Sequence, residues 1–247
     1  MRSIIPLLIC ILSYTDVFSQ PQSDTPSLAA GNRAGEIVST TTIKQLGTTQ
    51  FFTVNPIDDA TFARMQGRSY KADCTLPREE LRLLRILHHD GKGSIRIGEL
   101  ICNRLIAVDL IAIFRELYAV GYPIERMVLI DEYDGDDNRS MAANNSSSFN
   151  YRRVAGSKTL SAHSRGMAVD INPLYNPYVR TRNGRTIVEP ATATPYTDRS
   201  RKFRYKIERD DACCQAFLRH GFIWGGDWHS LKDWQHFEKR FDRFNKL

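Results

Sequence analysis

The sequence lacks any hydrophobic run long enough to cross a membrane. The early apolar stretch 4–12 is too short, since a membrane-spanning helix needs about 20 apolar residues. It follows Arg2 and precedes the small residue Ser19, an arrangement typical of a cleaved signal peptide over 1–19. We therefore predict an exported protein, periplasmic or extracellular, with no integral membrane span.

Cysteine is scarce, with five residues in the whole chain. Cys10 lacks the small preceding residue of a lipidation site, so lipidation is not expected. The remaining four cysteines are Cys74, Cys102, Cys213 and Cys214. No pair has the two-residue gap of a zinc ribbon, which excludes that class of structural metal site. In an oxidising compartment one or two disulfides can form, and the sequence does not rank the three full pairings.

The sequence also lacks a basic stripe and interleaved aromatic residues, although its net charge is +6. Scattered positive charge suits a solvated surface or weak attraction to acidic envelope polymers. A nucleic-acid partner is therefore not predicted.

No internal repeat divides the chain. Residues 20–50 are rich in Ser, Thr, Pro, Gly and Ala without apolar periodicity, so we predict a flexible leader there. Residues 51–247 are enough for one domain with a full hydrophobic core. The sequence does not indicate an oligomeric state.

The predicted domain mixes helices and strands without regular alternation. We expect helices over 76–91, 105–119 and 212–220, strands over 94–102, 127–130, 167–171 and 234–238, and loops over 131–137 and 144–150. This order indicates an α+β fold, a single domain with a small antiparallel sheet flanked by helices.

Two short segments carry residues suited to a metal. A turn of small residues separates His163 from Asp170 at the end of a predicted strand, which can bring an imidazole and a carboxylate together. His236 supplies a third ligand, and Asp233, three residues earlier, is placed to act as a general base. Glu238 shares a strand face with His236 and is a candidate to orient its ring.

These segments resemble the bacterial zinc D-alanyl-D-alanine carboxypeptidase and dipeptidase family and its phage-endolysin relatives, which cut L-alanyl-D-glutamate bonds. The family pattern is Ser-x-His, six residues, Asp, and later Glu-or-Asp-x-x-His; here it reads Ser161-x-His163, Asp170 and Asp233-x-x-His236. The resemblance extends over about 133–238. It implies a fold shared with the hedgehog domains and a substrate in peptidoglycan stem peptides.

The resemblance also implies roles for particular residues. One zinc ion would lie on His163, Asp170 and His236, with Asp233 as the base. An arginine upstream of Ser161 would clamp the substrate, and Arg152 and Arg139 are the candidates, since a guanidinium binds carboxylates bidentately. Ser161, Asn145 and Ser140 are candidate substrate-binding residues.

Three alternatives remain open at this point. Many carboxypeptidase members carry glutamate where this chain has Asp233, and endolysin-like members often carry aspartate, so an endopeptidase is the first alternative. A non-catalytic, hedgehog-like zinc module is the second, and the intact Asp233 counts against it. A wall-binding protein that has lost catalysis is the third. Among the other histidines, His88, His89 and His220 are expected to be surface or core residues, whereas His229 is also a candidate to line the cleft.

Overall fold

The computed structural model describes residues 33–154 and 158–240, whose secondary structure comprises five α-helices and nine strands. The helices are α1 (Thr40–Leu46), α2 (Asp59–Met65), α3 (Ala107–Ala119), α4 (Asp137–Ala142) and α5 (Ala212–Arg219). The strands are β1 (Thr53–Pro56), β2 (Leu81–His89), β3 (Ile95–Asn103), β4 (Ala168–Asp170), β5 (Tyr178–Arg182), β6 (Arg185–Glu189), β7 (Ile223–Trp224), β8 (Lys232–Asp233) and β9 (His236–Glu238). Every pair of neighbouring strands among them is antiparallel, which confirms the predicted α+β class.

The first sheet, in the order β1-β2-β3, packs against α3 to form the main core. The buried face of α3 presents Leu110, Ile113 and Phe114, each at most 1% exposed. These residues recur at helical spacing, so one side of the helix is apolar. The predicted helix 105–119 and strand 94–102 are therefore confirmed to within two residues.

The helix predicted over 76–91 is wrong. Residues 78–80 form only a 3₁₀ turn, and β2 then pairs with β3 over nine residues, from Leu81 opposite Asn103 to His89 opposite Ile95. The leucine spacing in this stretch suits a helix or a buried strand equally. Pairing with β3 on one edge, and with β1 on part of the other, gives this stretch strand hydrogen bonds, and these tertiary contacts decide the outcome.

The strand predicted over 127–130 is also absent. Those residues run extended beside the first sheet, where Glu99 N donates to Met127 O at 3.0 Å, and a 3₁₀ turn begins at Ile130. Met127 and Leu129 are buried, which accounts for the apolar pattern without a strand ladder. The loop predicted over 131–137 ends where α4 begins.

The predicted leader overlaps the folded domain. Helix α1 lies within 20–50, and Val38 and Ile43 are buried in the main core. Ser39 caps α1 by accepting a hydrogen bond from Thr42 N. Residues 33–50 therefore belong to the domain, and the signal peptide predicted over 1–19 lies outside the described residues.

Two smaller sheets position the residues singled out from the motifs. One has the order β4-β9-β7 and the other β6-β5-β8. Strands β5 and β6 form a hairpin whose turn, Asn183-Gly184, has positive φ at both positions (51° and 72°). Such a turn matches the twist of antiparallel strands and favours this dipeptide. The two-residue link 234–235 joins β8 to β9, so the two sheets meet at this point.

Two negative findings complete the fold. Over residues 33–154 and 158–240, no helix is long and apolar enough to cross a membrane. Cys74, Cys102, Cys213 and Cys214 are all free thiols, and burial raises the pKa of Cys214 to about 12. None of the disulfides left open by the sequence is formed.

Candidate metal centre

A 3₁₀ turn over 162–165 positions His163. Ser161 begins the turn, and its hydroxyl accepts a hydrogen bond from His163 N at 3.2 Å. Gly166 ends it with a φ of 64°, in a place where a Cβ would lie 2.6 Å from Asn103 N. Only glycine fits this position without strain, so the spacing between His163 and β4 depends on it.

Strand register brings the other two predicted ligands together. Asp170, the last residue of β4, lies directly opposite His236, the first residue of β9. Side chains of directly opposed residues leave the sheet on the same face. Asp170 is further held by two backbone hydrogen bonds with Ser147.

The three side chains converge on one point. His163 Nε2 lies 3.2 Å from His236 Nδ1 and 3.2 Å from Asp170 Oδ2, and His236 Nδ1 lies 3.2 Å from Asp170 Oδ1. All three residues are buried, at 4–7% exposure. Ligand atoms about 2.0 Å from a tetrahedral ion are separated by roughly 3.3 Å, so these spacings suit a metal such as zinc.

The outer contacts of the two histidines indicate which nitrogen each presents. His163 Nδ1 lies 2.6 Å from the carbonyl oxygen of Ser148, to which it can only donate. His236 Nε2 lies 3.3 Å from Glu238 Oε2 and donates to that carboxylate. In its neutral form, each ring therefore turns a lone pair inward, towards the Asp170 carboxylate. Without protons on the inward nitrogens, three electron-rich atoms lie in contact, and this donor set fits a cation between them.

The electrostatic interactions at the site shift the pKa values of its residues. Burial would raise the pKa of Asp170, but its contacts with His163 and His236 outweigh burial and hold that pKa well below its ordinary value. Burial would lower the pKa of His236, but the carboxylates of Asp170 and Glu238 raise it to about 10. Burial would raise the pKa of Glu238, yet its hydrogen bond with His236 lowers it to about 2. The site strongly favours positive charge.

Asp233 ends β8, three residues before His236. Its Oδ1 is buried and has no hydrogen-bond partner. Burial, together with the negative charge of Asp170, raises the pKa of Asp233 to about 6, although the two histidines oppose that shift. An orphaned carboxylate oxygen next to a metal-binding group is positioned to take a proton from a water molecule.

The two candidate arginines occupy different environments. Arg152 is half-buried and forms an ion pair with Asp137, and its backbone N donates to Ser164 Oγ at 2.8 Å, next to His163. The Arg139 side chain is 58% exposed and pairs with Asp134 at 2.8 Å on the surface. Arg152 is thus the arginine tied to the metal-binding turn.

The candidate substrate-binding residues lie inside the protein. Ser161 caps the turn that carries His163. Asn145 is fully buried, accepts from Val128 N at 2.9 Å and donates to Ser140 Oγ at 3.1 Å. These contacts tie Asn145 to the extended segment 127–129 and to α4. The structure thus gives all three residues supporting contacts, and their binding of substrate stays a prediction.

The remaining four histidines are not part of the group formed by His163, Asp170 and His236. His88 is buried, His89 stacks on Tyr118, and His220 contacts Asp109 and Glu116. His229 is exposed. Trp228, for which packing is a stronger expectation from the sequence than substrate binding, has its ring centroid 5.3 Å from that of His236.

The grouping of His163, Asp170 and His236, with the Asp233 carboxylate beside it, defines a class of protein that can bind a metal ion and hydrolyse a substrate. Residues 155–239 match the family described as D-alanyl-D-alanine carboxypeptidase. The match spans all four residues and supports the resemblance to a metallopeptidase family that the motifs indicated. It supports a peptidase acting on peptidoglycan-type substrates. No curated protein and no solved structure gives a match.

Proposed function

We propose that this protein is a zinc-dependent peptidase that hydrolyses peptide bonds in peptidoglycan stem peptides, in the manner of a D-alanyl-D-alanine carboxypeptidase. One observation carries the proposal: two imidazole nitrogens and the Asp170 carboxylate meet at one point, in electrostatic contact with Asp233, whose buried Oδ1 has no hydrogen-bond partner. Two histidines and one carboxylate are a ligand set that catalytic zinc sites use. We also propose that residues 1–19 direct export, which would bring the enzyme to its substrate.

The residues divide the work between binding and proton transfer. His163, Asp170 and His236 would hold one zinc ion, which when bound supplies Lewis acidity towards the peptide carbonyl and lowers the pKa of water. Asp233 accepts the proton of the attacking water and passes it to the leaving amine. Burial raises the pKa of Asp233, so its carboxylate has a higher proton affinity than that of an exposed aspartate, which suits a group that accepts a proton and passes it on.

Arg152 is our candidate for the arginine that holds the substrate. Its backbone contact with Ser164 fixes it beside the metal-binding turn, and a guanidinium can bind a peptide carbonyl or a terminal carboxylate. The ion pair with Asp137 would preset its position before substrate arrives. Arg139, on the surface, is the second candidate.

An endopeptidase that cuts after L-alanine is the alternative within the same chemistry. Aspartate at position 233 favours it, since the endolysin-like members of the family often carry aspartate there. Both reactions use the same metal ligands and base. They differ only in which bond of the stem peptide is placed over the site.

The test is mass spectrometry of purified muropeptides incubated with zinc-loaded protein. Loss of a terminal D-alanine or of D-Ala-D-Ala would support the carboxypeptidase, and cleavage after L-alanine would select the endopeptidase. Asp233→Asn should lower kcat about 10²- to 10⁴-fold. Asp198→Asn, in an exposed loop, is the matched control and should leave the rate unchanged. A zinc-loaded wild type that cleaves neither bond would refute the proposal and favour a hedgehog-like binding module.

A further inference from the structure

The sheet that carries Asp233 continues as a row of arginines. In the β5–β8 pairing, Tyr178 lies opposite Asp233, so both side chains leave the sheet on one face. Alternation along β5 returns Arg180 and Arg182 to this face. Arg185 on β6 lies opposite Arg182 and shares it. We call Arg180, Arg182 and Arg185 the arginine track.

Electrostatic contacts support this shared face. Burial raises the pKa of Tyr178, and the charges of Arg180 and Asp233 both act on its hydroxyl group. The side chain of Arg180 also hydrogen-bonds Tyr178. The track therefore begins at Arg180, beside Tyr178, which is in electrostatic contact with the proposed base, and leads outward along the hairpin.

The outer end of the track holds two like charges side by side. Arg182 and Arg185 flank the turn, are directly opposed in register and are exposed. Like charges directly opposite each other destabilise a hairpin. Among the residues that the structure describes, neither guanidinium forms an ion pair with a carboxylate. The acidic residues Glu189 and Asp233 on this face both lie at the inner end, opposite Tyr178. An anion bound between the two guanidinium groups would remove the repulsion.

Building on the hydrolytic function proposed above, we propose that the arginine track binds carboxylates of the peptide substrate and so determines which stem peptides are cleaved. Strand residues rise about 3.4 Å each, which places Arg180 about 7 Å and Arg182 about 14 Å along the strand from Tyr178. An extended peptide has nearly the same rise. Its carboxylates would therefore meet the track about two and four residues from the scissile bond.

The test compares charge-removing and charge-keeping variants. The double variant Arg182→Gln/Arg185→Gln removes the outer pair, and Arg182→Lys/Arg185→Lys keeps the charge. The control Arg33→Gln/Lys44→Gln removes two exposed charges from the N-terminal segment, which packs on the first sheet. The probe is a synthetic stem pentapeptide ending in D-Ala-D-Ala, as the free glutamate α-carboxylate and as its carboxamide.

Each variant is measured for hydrolysis and for binding. Removing the outer pair should raise KM for the carboxylate peptide about three- to tenfold with little change in kcat. The lysine variant should recover most of this loss, and the control should match the wild type. The amide peptide should give the wild type and the glutamine variant the same KM. The proposal would be overturned if the ratio of KM for the amide peptide to KM for the carboxylate peptide were the same in the wild type and the glutamine variant.

Binding to the zinc-loaded Asp233→Asn protein separates this proposal from the proposed function. If the wild type cleaves neither peptide but the acid binds more tightly through the track, the track is supported and the hydrolytic function fails. If the wild type cleaves the peptides but the binding affinity depends on neither the substrate carboxylate nor the arginines, the proposed function stands and the role of the track is refuted.

Discussion

Acidification should destabilise this protein through His88, a histidine held neutral in the core. His88 lies on β2 and is 2% exposed. Its Nδ1 lies 2.7 Å from the carbonyl oxygen of Ile124, to which it donates, and its Nε2 is buried with no partner. Protonation would place a charged N–H where the described residues offer no acceptor. Burial accordingly lowers the pKa of His88 to about 4.

The size of the effect follows from the two states of the ring. The unfolded chain has the ordinary histidine pKa of about 6.5, so it binds a proton at a pH where the folded protein does not. The stability due to neutral His88 is complete above pH 6.5 and is lost as pH falls towards 4. With these two values the loss reaches about 2 kcal/mol at pH 5 and about 3 kcal/mol below pH 4.

Urea unfolding between pH 7.5 and pH 5, with a chelator present, measures this loss. His88→Asn keeps an N–H donor for Ile124 but cannot titrate in this range. The variant should be less stable at pH 7.5, because its smaller side chain leaves a gap, yet it should lose about 2 kcal/mol less than the wild type on going to pH 5. Parallel pH profiles for the two proteins would refute the reasoning.

Three further predictions concern the metal site and its supports. Zinc added to chelator-treated protein should raise Tm, because zinc at about 100 times its Kd adds about 2.7 kcal/mol to the free energy of unfolding. His236→Ala should abolish this rise in Tm, and a rise in that variant would show that zinc binds elsewhere. Glu238→Ala should weaken zinc binding about 10- to 100-fold in competition with a chromophoric chelator, because the His236 ring loses its acceptor; unchanged affinity would exclude that role. Gly166→Ala should lower the free energy of unfolding, measured with urea, by on the order of 2 kcal/mol. Gly67→Ala should lower it less, because Gly67 has a similar φ but open space where the added Cβ would lie. Equal losses would show that the contact with Asn103 is unimportant.

Each half of the metal site is local in the chain and could be predicted from the sequence, and the family resemblance joined the two halves. His163 and Asp170 are separated by one turn, and Asp233 and His236 by a two-residue link. Short separations limit where these side chains can go. The outer acceptors were harder to find: Glu238 was accessible from strand alternation, whereas the Ser148 carbonyl has no side-chain signature at all.

The errors in the fold arose where tertiary contacts decide between local alternatives. Residues 81–89 have leucines that fit a helix or a strand, and pairing with β3 selects the strand. Asn145 lies in the segment predicted as a loop, and its side chain forms two hydrogen bonds with the backbone of Val128 inside the protein, a contact that the sequence does not indicate. The β5–β6 hairpin was overlooked, although Asn183-Gly184 between alternating residues was a sufficient signal.

The separation of the two small sheets has an evolutionary consequence. The predicted metal ligands Asp170 and His236 belong to the sheet β4-β9-β7, whereas Asp233 and the arginine track belong to the sheet β6-β5-β8. Mutations at the tip of the hairpin alter residues that no metal ligand contacts. Selection can therefore change the preferred peptide by replacing or lengthening the hairpin while the ligand set is inherited intact. Relatives with divergent hairpins and the same four site residues would be the expected outcome of such a history.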